Sequence, residues 1–169
     1  MSKPFSVNTS RFDPYKAFAF RVYFGDSTAP VAGVSKVSAL TRTTGVIAYQ
    51  EGNNAVTRQG MGRTKYNPIT MERGVTHDDE FEAWANAAQV LDKGAPTQSL
   101  KKLRKNIRIE LLNEEGQPVH RYLVYNCWVS EFQALPQLDA GSTGVAIEHV
   151  ILQNEGWEHD LSLSEPTEQ

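Results

Sequence analysis

Hydrophobic and polar positions alternate with a period of two over much of this chain, and one segment keeps the 3.6-residue period of a helix. Phe18, Phe20, Val22 and Phe24 alternate with Ala19, Arg21 and Tyr23, which predicts a half-buried strand ending at the Gly25-Asp26 turn. From Val31 to Thr44, apolar Val34, Val37 and Leu40 stand among Ser, Thr and Lys. That stretch reads as one long strand, or two with a bulge near Gly33, and Val46 to Tyr49 continues it. Ile69 to Glu72 is a short strand stopping at Gly74. Ile107, Ile109 and Leu111 alternate into another, and Asn113-Glu114-Glu115-Gly116 reads as the turn to a strand from His120 to Phe132. The last predicted strand, Val145 to Gln153, is apolar on both faces, as a central strand under a docked helix would be.

The helical segment places Phe81, Trp84, Ala85 and Ala88 at i, i+3, i+4 and i+7. Thr76 followed by Asp79 predicts its cap, acidic Asp78, Asp79 and Glu80 suit its positive end, and Gly94-Ala95-Pro96 stops it. A helix this short needs a sheet to dock on. Between the strands, Gln50 to Asn67 is rich in Gly and cations, with few large apolar groups. Its β-type flanks Ile47, Tyr49, Val56 and Thr57 predict an extended hairpin turning at Gly52-Asn53-Asn54. In a monomer such an arm has little to pack against. Residues 1–15 read as an N-terminal arm, and the acidic 159–169 as a frayed tail, around a single domain spanning 1–169.

Composition adds exclusions. A chain of 169 residues, 40% hydrophobic and 22% charged, can bury one ordinary core. A net charge of -3 argues against a mainly electrostatic nucleic-acid binder. The basic run from Lys101 to Arg108 lacks interleaved aromatics and reads as a solvated linker. One cysteine, Cys127, allows no intrachain disulfide and no cysteine zinc site, and its apolar neighbours predict a buried thiol. Polar residues 1–11 carry no leader, and no run of about 18 apolar residues occurs, so assembly in the cytoplasm is expected.

The chemistry expected of an enzyme is absent from the pattern. His77, His120, His149 and His159 are too widely spaced for a metal motif, and Gly60-Met61-Gly62 lacks the context of a nucleotide loop. Ser99, Ser130 and Ser142 have no nucleophile-elbow setting. Trp84 and Trp128 read as core. No catalytic residue, metal or cofactor is expected.

Three segments carry more. They are Glu72-Arg73-Gly74 leading to Phe81 and Trp84, then Tyr125-Asn126-Cys127-Trp128, then Val145-Ala146-Ile147-Glu148 ending at Glu155-Gly156-Trp157. In this order, from about Phe18 to Trp157, they resemble the tail tube proteins of contractile phage tails and phage-tail-like injection systems. The haemolysin-coregulated protein of type VI secretion is related to that family. The resemblance implies a mainly β fold, an antiparallel barrel or sandwich with one flanking helix and an extended hairpin. It also implies hexameric rings stacked into a hollow tube, surrounded by a contractile sheath and driven through a target envelope. Further implied partners are baseplate or hub and tube-terminating proteins and a luminal cargo of effector protein or DNA, in a virion tail or an injection particle.

By the same resemblance, Tyr49, Glu51, Gly52, Asn53, Asn54, Arg58, Gly60 and Lys65 belong to a hairpin that reaches neighbouring subunits. Arg73, Gly74, Phe81, Trp84, Asn126, Ala146, Ile147, Glu148, Glu155, Gly156 and Trp157 are packing signature, with Trp157 a candidate anchor on a neighbour. Asp78, Asp79 and Glu82 are candidates for the sheath-facing surface. Cys127 stands where a small residue is usual, and Leu135-Pro136-Gln137 replaces a Gly-Pro-Asp type of turn. A free hexameric effector carrier, a baseplate-proximal ring and a lone β-barrel ligand binder are the alternative readings, and the polar hairpin counts against the last.

Overall fold

The computed structural model describes residues 14–50, 52, 56–89 and 100–166. In chain order these form β1 (Phe20–Phe24), β2 (Val34–Val37), β3 (Arg42–Tyr49), β4 (Arg58–Tyr66), β5 (Ile69–Gly74), α1 (Glu80–Gln89), α2 (Leu100–Leu103), β6 (Lys105–Leu112), β7 (Pro118–Gln133), β8 (Ile147–Gln153) and β9 (Trp157–His159). Seven strands make one antiparallel sheet in the order β1-β6-β7-β8-β5-β2, with β9 on β7. Among the described residues, strands β3 and β4 pair only with each other. The fold is a mainly β, antiparallel barrel or sandwich with a flanking helix, as the sequence predicts.

Strand β7 is long enough to serve two half-sheets. Its first half pairs with β6 and β9, and its second half with β8. Between them Asn126 takes φ 52°, a left-handed turn that Asn tolerates better than other side chains. Opposite it, Gly156 takes φ 140°, which only glycine adopts without strain. Tyr125 N–H donates to Gly156 C=O at 2.9 Å and Glu155 N–H to Tyr125 C=O at 3.1 Å, so the two adjacent strands bend together. The halves close over one core that joins Val22, Phe24 and Ile107 to Ile69, Met71, Val150 and Leu152. Val31 N–H reaches Val22 C=O at 2.7 Å and draws the segment before β2 to β1.

The bend also changes which side chains face inward. Val124 and Cys127 are both fully buried, three residues apart, so the alternation slips by one at Tyr125-Asn126. Trp128 consequently points out and is 40% exposed, not core as the pattern predicts. Burial pushes the Cys127 thiol up to about 12, which keeps it protonated and inert at neutral pH.

Helix α1 lies against β7 and inserts Phe81 and Trp84 into the core, where both rings meet Phe24. The Trp84 indole N–H donates to Leu103 C=O at 2.9 Å, tying α1 to the short helix α2, which the sequence reading leaves as linker. Capping differs from the predicted Thr76 arrangement. The Asp78 carboxylate accepts the Glu80 N–H at 2.9 Å, while the Thr76 hydroxyl accepts only from Asp78 N–H.

Other expectations shift by a few residues. Phe18 lies outside β1 and is exposed, because pairing with β6 begins at Phe20. The long Val31 to Thr44 strand is broken after Val37, where Ser38 turns to bond Thr70 through both backbone and hydroxyl. The hairpin therefore starts at Arg42, not at Gln50. Val145 and Ala146 precede β8, and Val145 is 79% exposed. His159 ends β9, and Asp160 N–H bonds Arg121 C=O at 2.9 Å, so the predicted fraying does not begin there. Residues 1–13, Glu51, Asn53, Asn54, the Gly94-Ala95-Pro96 stop and residues 167–169 lie outside the described residues.

Candidate assembly surfaces

The first cluster of signature residues is a buried ion pair at one end of the core. Along β5 and β8 the inward pairs are Ile69 with Leu152, Met71 with Val150, and Arg73 with Glu148. Two apolar rungs are followed by an ionic one. Arg73 is fully buried and donates through Nε to Glu148 and through a terminal nitrogen to the Asp78 carbonyl. Its guanidinium lies 4.1 Å from the Phe81 ring centroid, a cation–π contact in a dry site. The same Asp78 oxygen that caps α1 stands 3.4 Å from Arg73, so this group fixes strand, helix start and loop at once.

The second cluster sits at the bend. Asn126 amide N–H donates to Glu155 at 2.6 Å, and Glu155 also accepts from Arg104 at 2.5 Å. Beside them the Trp157 ring meets Tyr66 and Tyr122 edge-on at 6.2 and 6.1 Å, with the Arg42 guanidinium 5.7 Å from its centroid. Arg42 and Tyr66 are the first and last residues of the β3–β4 pair. A Cβ on Gly156 would stand 3.3 Å from the Tyr66 ring, so glycine is needed here for space as well as for its φ. Asn67 N–H to Thr41 C=O at 3.0 Å and Asn154 to Asn67 C=O at 3.0 Å complete the clamp. Trp157 therefore holds the root of its own subunit's arm. The sequence reading misses Arg42, Tyr66 and Tyr122, since nothing in their spacing marks them as partners of Trp157.

Beyond that root the arm stands clear of the body. Every residue of β3 is exposed, including Val46, Ile47 and Tyr49, and Met61 on β4 is 90% exposed. Residues Gly62 and Arg63 oppose the single Gly45, a bulge in which a Cβ on Gly62 would meet the Gly45 carbonyl at 3.0 Å. Arg58 and Lys65 are exposed along β4 with Gly60 between them, and Gly52 is exposed in the connecting turn. A two-stranded ribbon without a packed face is at best marginally stable in water.

The acidic candidates separate. Asp79 and Glu82 are exposed, whereas half-buried Asp78 is committed to Arg73 and the helix cap. The basic run is also largely committed within the subunit. Arg104 pairs with Glu155, Lys105 lies over Trp84, and Arg108 stacks on Tyr23 beside Glu110. On the same sheet, Arg121 bridges Glu110 at 2.9 Å and Asp160 at 3.2 Å. Hydrogen bonds from Ser162 hold the Asp160 carboxyl below the usual range, and the bond to Glu158 raises the Tyr125 phenol. No group of three or more His, Cys, Asp or Glu that could hold a metal occurs among the described residues. The geometry offers packing and contact surfaces.

Comparison with known proteins agrees with that picture. The family described as "T4-like virus tail tube protein gp19" matches residues 16–158. Among solved structures, the chain is similar to one in the anti-feeding prophage cap, the tube terminating cap, at 22% identity and TM-score 0.75, covering 95% of this chain and 99% of that one. It is similar to a chain in the PVC sheath-tube complex of an extracellular contractile injection system in the extended state, at 23% identity and TM-score 0.72, over 87% and 91%. An Hcp protein is more distant, at 12% identity and TM-score 0.51, over 87% and 96%. At these identities the likeness is one of fold. No match was found among curated proteins.

Proposed function

The chain belongs to the T4-like tail tube protein family and is a structural subunit of a tube, and we propose that six copies close into a ring and that rings stack into the inner tube of a contractile particle. The observation that carries this is the arm. It exposes apolar side chains on a ribbon that pairs with no other strand among the described residues, while its root is clamped by Trp157. Exposed apolar surface of this kind marks a contact site, and ring closure gives open sheet edges a partner. No catalytic role is assigned to any residue.

The proposed partners follow from that role: a sheath around the tube, baseplate and terminating proteins at its ends, and effector protein or DNA inside. The particle is a phage tail or an injection system, assembled before release. Asp79 and Glu82 on the exposed side of α1 are assigned to sheath contact, and Asp78 is not.

Light scattering with negative-stain microscopy tests the assembly. Rings of about 113 kDa, six times 18.8 kDa, are expected, lengthening into tubes when baseplate or sheath is supplied. A protein that stays monomeric at high concentration under all these conditions would refute the proposal. Reversing the charge of Asp79 and Glu82 is expected to weaken sheath attachment, more so at low salt, and to leave bare tubes intact. Loss of bare tubes in that variant would show that this helix face is not a sheath surface.

A further inference from the structure

Two elements of this chain expose large apolar side chains at opposite ends of β8. The arm presents Val46, Ile47, Tyr49, Val56 and Met61. The loop from β7 to β8 presents Leu135, Leu138 and Val145, each more than half exposed. The arm and this loop account for eight of the twelve exposed large hydrophobics among the described residues, which makes both more than scattered surface apolars.

Both patches stay exposed in the single subunit, and they are rooted at opposite ends of β8. The arm is rooted where Asn67 meets Asn154, just past the Gln153 end of β8. The loop enters at the other end, at Ile147. Seven residues of β8 at about 3.3 Å each separate them by about 20 Å. A copy displaced along the strand direction would bring its arm to the next copy's loop.

Charge points the same way. From Arg42 to Tyr66 inclusive there are four cations and one carboxylate, whereas from Tyr122 to the end there is no Lys or Arg and there are eight carboxylates. Several of those carboxylates are neutralised by Arg73, Arg104 and Arg121. Glu131 near the end of β7 and Asp139 in the loop have no cationic partner among the described residues other than His149 beside Glu131. Arg58, Arg63 and Lys65 on the arm make no ion pair among the described residues.

We infer that the arm of one copy seats on the β7–β8 loop of the next, Met61 and its neighbours against Leu135, Leu138 and Val145, with arm cations near Glu131 and Asp139. This deepens the tube reading and rests on it. Because donor and acceptor are different patches, the contact is head-to-tail and propagates instead of closing as a pair.

Cysteine cross-linking with a short bismaleimide tests it. The native thiol, buried and protonated, stays silent. Assembled protein carrying both Met61→Cys and Leu138→Cys should give a ladder of covalent trimers and larger species, and either single variant should give none. Dimers from Met61→Cys alone would mean that arms pair with arms and would overturn the inference. A ladder from Met61→Cys with Leu161→Cys, but not with Leu138→Cys, would place the acceptor elsewhere and do the same. If microscopy shows tubes and the double variant does not cross-link, this contact fails and the tube reading stands. If no assembly forms under any condition, both fail.

Discussion

Replacing Glu148 with Ala is expected to lower the unfolding free energy by about 3–5 kcal/mol, because it leaves the buried Arg73 guanidinium with only the half-buried Asp78 carboxylate, 3.4 Å away, to balance its charge. The two side chains are 1% and 8% exposed, so water cannot replace the lost carboxylate without opening the core. The remaining bond to the Asp78 carbonyl and the Phe81 ring contact hold the cation in place, which prevents an easy escape to solvent. Joint replacement, Arg73→Met with Glu148→Leu, is expected to recover most of the loss, since an apolar rung would extend the two beneath it. Denaturant melts of the three variants measure this. A Glu148→Ala protein within about 1 kcal/mol of the parent would mean the pair is hydrated and not part of the core.

Shortening the arm is expected to produce the opposite separation. Replacing residues 46–61 by a two-residue turn between Gly45 and Gly62 removes the exposed ribbon and keeps Arg42 and Tyr66 on Trp157. Nothing in the core is lost, so the melting temperature should change little. Tube formation should be abolished. A variant that still forms tubes would show that the arm is dispensable, and one that melts far below the parent would show that the ribbon supports its own body.

β5, whose burial alternates strictly, was legible in the sequence, as was the amphipathic helix. What alternation hides is the bend. Asn126 is a left-handed residue inside a strand, and it shifts the inward parity, so Cys127 is buried as its neighbours predict while Trp128, read as core, points out. The arm's turn region was visible in its glycines and asparagines, yet its start at Arg42 was not. Val46 and Ile47 look like core residues, and only the break at Ser38 separates them from β2. The signature residues were readable as an ordered set. That Arg73, Phe81 and Glu148 meet at one point, and Asn126, Glu155 and Trp157 at another, follows from strand register, which no local pattern encodes.

Because β7 serves both half-sheets, the order of synthesis limits when this subunit can exist. β1 waits for β6, and β5 waits for β8, so no half of the sheet is complete until the chain has passed residue 153. The cation at Arg73 is likewise without its carboxylate for 75 residues. Contacts of such long sequence separation favour slow, all-or-none folding, in milliseconds to seconds. A nascent chain therefore completes neither half-sheet early, and the clamp that aims the arm, Trp157, is among the last pieces to arrive. Refolding followed by Trp fluorescence should show one phase without a populated intermediate; a long-lived half-folded species would contradict it. Incomplete subunits would then be barred from the growing polymer by their own topology.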